Sequence, residues 1–437
     1  MKFLAHSNWT KSTFYNKKIL FPQNLASLSR IIHSNEIGIC GNLRSFNDTC
    51  INKKRLVSLK NFPKKIIINK KKSLLYVSSN CLLIDVLKKI VPNGYMVSVT
   101  PGSKYVTIGG MISNNVIGKN SKNNQFRYIL KEFQLLSPNN KILNCSNKSN
   151  KKIFDLTIGG FGLTGIILNA VIKLKKIKNQ HIRQNIFQFY NIDEFEKIVK
   201  KKTKFNVSWI DSHSLNKKEF KGLFYTGDYY TKNTKIKNYE YSNNNTNLLT
   251  TFFLKTYIQN FFLSKVVNYI FFKIIKKKSI VNFDKFFYPQ DKWLNFNNCY
   301  KNGFFQIQFL IPEKKFKNII RIISKFFSKN KVKSTFIIIK KINEKGKYLN
   351  FFGKGYSISF DFDNDLKSKK IKIFFLKLIS TNNLKINFSK DIIQKSKFIK
   401  DKKEYINFKK DLKYLDKQEI INNEFSKRLK LKFSNEI

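Results

Sequence analysis

Residues Pro101–Asn120 read PGSKYVTIGGMISNNVIGKN and hold four of the seventeen glycines of the chain. A second cluster, Thr157–Ile167, reads TIGGFGLTGII. Strand-like residues surround both: Ser73–Ser79 and Tyr95–Val99 precede the first, and residues 166–175 continue the second. Between them, Tyr128–Leu136 and Lys141–Cys145 flank Ser-Pro-Asn-Asn, which predicts a hairpin. Leu82–Val91 has helical spacing, with Ser79 or Asn80 as its N-cap. Glycine lets backbone N–H groups approach a phosphate because no Cβ intervenes. A further loop, Gly38–Asp48, adds Arg44, Ser45 and Asp48. Neither glycine cluster ends in Gly-Lys-Ser/Thr, and neither gives a clean GxGxxG followed by a helix and a ribose-binding acid. Singly, each reads as a tight turn in an α+β domain. Three such loops beside strand–helix–strand units favour a diphosphate cofactor held by several loops.

The whole chain has 437 residues, with 84 Lys+Arg against 27 Asp+Glu and a net charge of +57. That length allows two or three domains, and 42% hydrophobic residues exclude global disorder. Only seven of the 84 basic residues are Arg, the residue that reads bases and phosphates bidentately. Excess Lys, Asn, Ile, Phe and Tyr, against scarce Ala, Gly, Pro and Arg, sorts by AT-rich codons. The charge therefore reads mostly as compositional drift, and no nucleic-acid partner is expected. Five cysteines without a CxxC fit a reducing compartment, and four scattered histidines predict no metal site. The apolar start is too short for a signal peptide, and no stretch reaches the ~18 apolar residues of a membrane span. The expectation is a cytoplasmic protein, with peripheral contact at the inner membrane face as a variant of it.

Residues 184–280 are rich in Tyr, Phe, Asn and Lys. Leu248–Ile275 within them is an aromatic, Lys-punctuated segment with a helical reading, suited to anionic lipid headgroups or to ordinary packing. Alternating strands follow. Phe305, Ile307 and Phe309 oppose Gln306 and Gln308; Tyr356, Ile358, Phe360 and Phe362 oppose Ser357, Ser359, Asp361 and Asp363. Such alternation predicts a sheet with one buried face and one polar face open to a ligand. Phe336–Lys340 is a shorter strand, and the last 45 residues have a Lys-rich helical pattern.

The ordered set GICGNLRSFNDT, PGSKYVTIGGMISNNVIGKN, TIGGFGLTGII, FFQIQFLIP and INFSKD resembles the vanillyl-alcohol-oxidase-type FAD oxidoreductases. Within them it is most similar to the branch that oxidises the 2′-hydroxyl of a polyprenyl-phosphate ribose. The resemblance implies a two-lobed α+β fold. Residues 1–176 and 388–437 would form the FAD-binding domain, and residues 177–387 an inserted substrate domain built on an antiparallel sheet. It implies FAD contacts from Asn42, Leu43, Arg44, Ser45 and Asp48 in the first loop. The second loop would supply Pro101, Gly102, Thr107, Gly109, Gly110, Asn114, Gly118, Lys119 and Asn120, and the third Gly160, Gly162, Thr164, Gly165 and Ile167, mostly through backbone N–H donors. Related lactone oxidases bind FAD covalently through a His where this chain has Arg44, so the resemblance implies noncovalent FAD.

The same resemblance makes Lys390 and Gln308 the catalytic candidates, with Tyr288, Gln306, Gln308, Lys340 and Ser359 on the substrate side. The implied reaction turns a sugar hydroxyl into a ketone, the first half of an epimerisation in cell-wall or surface-polysaccharide synthesis. A short-chain NAD(P)H-dependent reductase would complete it. Four positions depart from the family pattern: Phe46 and Asn387 replace Tyr, Ile117 replaces His and Ser359 replaces Cys. The substrate is thus a lipid-linked or nucleotide-linked sugar, of the standard or of a different kind. An aldonolactone oxidase of the same fold, or a basic protein binding nucleic acid or an anionic surface, are the other readings.

Overall fold

A computed structural model describes residues 6–34, 36–233, 236–241, 248–293 and 296–432; the apolar start Met1–Ala5 lies outside them. Two antiparallel sheets organise the chain. The first contains β1 (Ile66–Asn69), β2 (Leu74–Ser78), β3 (Leu130–Leu136), β4 (Ile142–Ser146) and β5 (Ile166–Lys173), in the order β1-β2-β5-β3-β4. The expected hairpin is β3–β4, whose turn places Asn140 at φ +58°, a conformation Asn tolerates. Helix Leu83–Ile90 buries Leu83, Val86, Leu87 and Ile90 in a core shared with Phe133 and Ile172. Its cap corrects the sequence reading. Leu82 is the N-cap, and the Leu83 and Ile84 N–H groups donate to Val106 O and Lys104 O. Asn80 instead donates to Leu59 O (2.8 Å) and Phe62 O (2.9 Å).

The second sheet contains β6 (His181–Phe189), β7 (Phe205–Ile210), β8 (Gly222–Tyr229), β9 (Lys278–Asn282), β10 (Phe304–Ile311), β11 (Ile337–Glu344), β12 (Gly353–Asp363) and β13 (Lys385–Ile386). Their order is β9-β6-β8-β7-β11-β12-β10-β13. The register pairs Gln306 with Asp361 and Gln308 with Ser359, so the polar residues of β10 and β12 share a face. Phe305, Ile307, Phe309, Ile358, Phe360 and Phe362 take the opposite face. There they pack against helices Phe316–Asn330 and Ser368–Thr381 through Ile319, Ile323, Phe327, Ile371 and Phe375. Burying each such side chain contributes roughly 1.5–3 kcal/mol, and this fixes which face is left polar.

Leu248–Ile275 is two helices, Leu248–Gln259 and Phe261–Ile274. They part at Asn260, whose side chain accepts from the Leu263 N–H and caps the second.

The end of the described chain returns to the first loop. Asn423 caps helix Glu424–Leu429 and donates to Thr49 O (3.0 Å) and Phe161 O (2.9 Å). Arg428 makes a two-point fork on Asp48 (Nε–Oδ2 2.8 Å, Nη2–Oδ1 2.9 Å) and reaches Asp391 through Nη1 (2.9 Å). Asp391 is fully buried, so removing the guanidinium strands a buried charge. Arg428→Met is expected to cost about 3–5 kcal/mol of stability in urea denaturation. An unchanged midpoint and slope would show that the fork is dispensable.

Candidate cofactor and catalytic site

The glycine loops converge on one cleft. Asn42, Ser45, Thr107, Gly109, Gly110, Asn114, Gly162, Gly165 and Ile167 all line it, with Lys60 and Lys64 among the other lining residues. Among the described residues, the backbone N–H groups of Asn42, Leu43, Arg44 and Gly162 have no protein acceptor. Gly162 takes φ +73°, and no atom lies within 4 Å of where a Cβ would stand. Open N–H donors, an open glycine face and two lysines are what a diphosphate requires.

Several expected donors are already committed. Thr107 caps the short helix Ile108–Ser113 and takes the Gly110 N–H on its hydroxyl (3.2 Å). The Gly109 N–H donates to Ser79 O (2.8 Å), and a Cβ at Gly109 would stand 3.2 Å from Ser79 Cβ. Gly109 therefore serves close packing of the helix against the end of the strand, and the Gly110 N–H is spent on the helix cap. Gly160 and Gly165 likewise face backbone: a Cβ would meet Leu156 O at 2.4 Å and Leu136 O at 2.6 Å respectively. Thr164 is buried beside them. Asn114 donates to Gly110 O (2.9 Å), and Asn42 to Tyr105 O (2.7 Å).

Other members of the expected set have side chains or N–H groups engaged elsewhere. Asp48 gives both carboxylate oxygens to Arg428, which makes it a structural anchor and not a cofactor ligand. Leu43 packs against Tyr15, Ile19 and Cys50. Arg44 lies over the Trp9 ring at 4.1 Å and is also 5.8 Å from the Tyr105 ring. Gly118 donates to Asn124 O (2.7 Å), Asn120 bridges to Phe205, and Gly102, beside Pro101, is exposed.

The polar sheet face forms the second part of the site. The first loop connects the two parts, because Asn42 and Ser45 line the cleft while Phe46 lies under Lys390, whose Nζ is 3.2 Å from the ring centroid. Asn47 donates to Phe388 O (2.6 Å) and fastens the turn that carries Lys390 to that loop. Lys340 reaches across from β11 to Gly118 O (3.2 Å), and Lys119 donates to Phe286 O. Burial, and for Lys119 and Lys390 also the charge of Lys340, push the ammonium pKa values down: Lys119 and Lys390 to about 7, Lys340 to about 8. Burial pushes the Asp361 carboxyl up to about 6, against the Gln306 hydrogen bond and the Lys390 charge, which favour its ionised form.

Gln308 does not stand free for a ligand. Its Nε2 donates to Ser357 Oγ (2.8 Å) and its Oε1 accepts from Asn387 Nδ2 (2.8 Å). Gln306 donates to Asp361, and Ser359 has its hydroxyl 3.5 Å from Ile338 O. Tyr288 is buried in a different cluster, its ring 5.7 Å from Lys104 Nζ. There Lys104 pairs with Asp284 at 2.6 Å and faces Asp291 at 3.9 Å. Tyr288 therefore belongs to the packing between the second glycine loop and residues 283–293, beside Lys104. Asp361 is the group that motif reasoning missed. Its signal was present in the alternation, which put it on the face of Gln306. Among the described residues no group of His, Cys, Asp and Glu could hold a metal ion.

A family model described as an FAD binding domain matches residues 18–146. The chain is 26% identical over 263 residues to decaprenylphosphoryl-beta-D-ribose oxidase of Mycolicibacterium smegmatis, a match covering 56% of each protein. It is 30% identical over 110 residues to cytokinin dehydrogenase 2 of Arabidopsis thaliana, covering 25% of this chain and 22% of that one. The matched region thus spans about half, or less, of these relatives. The FAD-binding domain match takes in the first two loops of the cleft, and the cleft itself offers what a diphosphate needs; the chain carries an FAD-binding domain and is similar to FAD-linked oxidoreductases over about half of its length.

Proposed function

We propose that the protein uses noncovalently held FAD to oxidise a secondary hydroxyl of a phosphate-bearing sugar to a ketone, the sugar being carried on a polyprenyl phosphate or a nucleotide. The observation that carries this reading is the set of three half-buried lysines, Lys119, Lys340 and Lys390, grouped with Asp361 about the polar sheet face. Like charges gathered with their pKa values pushed down favour an anion. A soluble aldonolactone brings none, so the phosphate-bearing substrate is preferred over the lactone. The name of the mycobacterial relative points the same way.

FAD would lie with its diphosphate on the Asn42–Arg44 and Gly162 N–H groups, and when bound it supplies the acceptor for the hydride leaving the carbinol carbon. Asp361 takes the hydroxyl proton on its carboxylate, which a pKa near 6 leaves ionised at neutral pH. Gln306 orients that carboxylate by donating to Oδ1. Lys390 Nζ offsets negative charge on the same side, and Lys119 and Lys340 draw in the substrate phosphate. Asn387, where the family resemblance implies Tyr, holds Gln308 in place, and Ile117 offers only its carbonyl to Lys340 (3.4 Å). These two positions favour a sugar that differs from the decaprenyl-linked ribose over the standard one. Residues 1–176 and 388–437 would act as the cofactor lobe and 177–387 as the substrate lobe. The ketone requires a partner that reduces it, of the short-chain NAD(P)H-dependent class.

Three outcomes are expected. Acid precipitation of the FAD-loaded protein should release all flavin into the supernatant; flavin retained in the pellet would show a covalent link. Gly162→Val should weaken FAD binding at least tenfold in fluorescence titration while the far-UV circular dichroism stays unchanged. Substrate oxidation should rise as pH passes about 6, where Asp361 ionises, and fall as it passes about 7, where Lys390 loses its proton. Asp361→Asn should lower the rate about 10²-fold, and Lys390→Met should remove the alkaline limb. A pH profile that keeps both limbs in these variants would exclude the assignment.

A further inference from the structure

Helix Phe261–Ile274 is built inside out. Its buried positions, spaced four apart, are Ser264, Asn268 and Phe272, so two of the three are polar; Ser264 is 1% exposed and Asn268 7%. Both are fastened to the body of the protein. Ser264 Oγ meets His213 Nε2 at 2.9 Å, Asn268 Nδ2 donates to Asp211 Oδ1 (2.8 Å), and Asn268 Oδ1 accepts from Tyr257 (2.9 Å). The outward face is apolar instead. Phe262 is 72% exposed and Ile274 73%, with Phe261, Val266, Tyr269, Ile270 and Phe271 also exposed. The preceding helix adds Leu249 at 78% and Phe252 at 71%. A helix on an aqueous surface turns its polar residues outward, and contiguous apolar patches of this kind mark interaction sites.

The charges around the patch name its occupant. Lys255, Lys265, Lys273 and Lys276–Lys278 are exposed on and beside the helices, and no acidic residue occurs between Glu240 and Asp284. A second copy docked by a two-fold axis would set these lysines against each other with no carboxylate in the segment to receive them. An anionic lipid surface complements them, since lysine stems lie along apolar surface and carry the ammonium to the headgroups. At 14 residues the helix is about 21 Å long, short of the ~30 Å hydrocarbon core. Among the described residues no helix is long and apolar enough to cross a membrane.

We infer that residues 248–278 form a docking surface by which the protein lies on an anionic bilayer, with Phe252, Phe262, Ile270 and Ile274 entering the headgroup–acyl boundary. This surface is independent of which sugar the site takes. The test is flotation of the FAD-loaded full chain with vesicles of phosphatidylcholine alone or mixed with phosphatidylglycerol. It uses the native protein, Phe252→Ser/Phe262→Ser/Ile270→Ser/Ile274→Ser and, separately, Lys265→Glu/Lys273→Glu. All six side chains point outward, and a retained flavin spectrum reports the fold. Native protein should float with the anionic vesicles, with at least a tenfold loss in the serine variant and a clear loss in the glutamate variant. Failure of the native protein to float, or equal flotation of the serine variant, overturns the inference. So does a native dimer that the serine substitutions dissociate without any vesicle binding, which would identify a second copy as the occupant.

Discussion

The guanidinium of Arg428 holds together segments that are far apart in the chain and that the site needs side by side. On one side it grips Asp48, at the end of the loop whose Asn42 and Ser45 line the cleft. On the other it grips Asp391, next to Lys390. Neither carboxylate is free to move: Asp391 also accepts from the Ile393 and Gln394 N–H groups, at 2.9 Å each. The bond from Asn47 to Phe388 O runs alongside the fork. The first loop of the cleft and the turn that carries Lys390 thus become parts of one rigid junction, the kind of support that precise positioning requires.

Upon that junction the second sheet places its polar face. Apolar burial on the opposite face sets the orientation, and the register then brings Asp361 beside Gln306 and Lys340 level with Ser357. Grouping lysines with lowered proton affinity opposes folding, because each charge gives up part of its hydration. An anion bound among them would offset that cost and so raise the stability of the protein.

Features governed by local pattern were legible in the sequence. Strict alternation over Phe305–Leu310 and Tyr356–Asp363 identified two strands and which residues share a face, and Ser-Pro-Asn-Asn marked the β3–β4 turn. That the polar face is itself buried and hydrogen-bonded, with Gln306 9% exposed and Asp361 3%, was not legible. The convergence of the three glycine loops on one cleft was legible too. What each glycine does there was not, because that depends on which carbonyl lies opposite: Ser79 O for Gly109, open space for Gly162. Asp48 was read as a cofactor ligand because its partner, Arg428, lies 380 positions away in sequence. Leu248–Ile275 looked like one mixed aromatic stretch, since the inverted face appears only after Asn260 breaks it into two helices. The exposed aromatic residues there and the grouped lysines at the site both depart from what folding alone favours, and such departures mark functional surfaces.

The account stands on the cleft and the polar sheet face being one site, joined by the first loop. The most direct measurement is a crystal structure of the protein reconstituted with FAD. It should show the diphosphate accepting from the Asn42–Arg44 and Gly162 N–H groups and the flavin ring reaching past Phe46 to face Lys390 and Asp361. A ring turned away from the β10–β12 face, or a diphosphate bound outside the cleft, would contradict it.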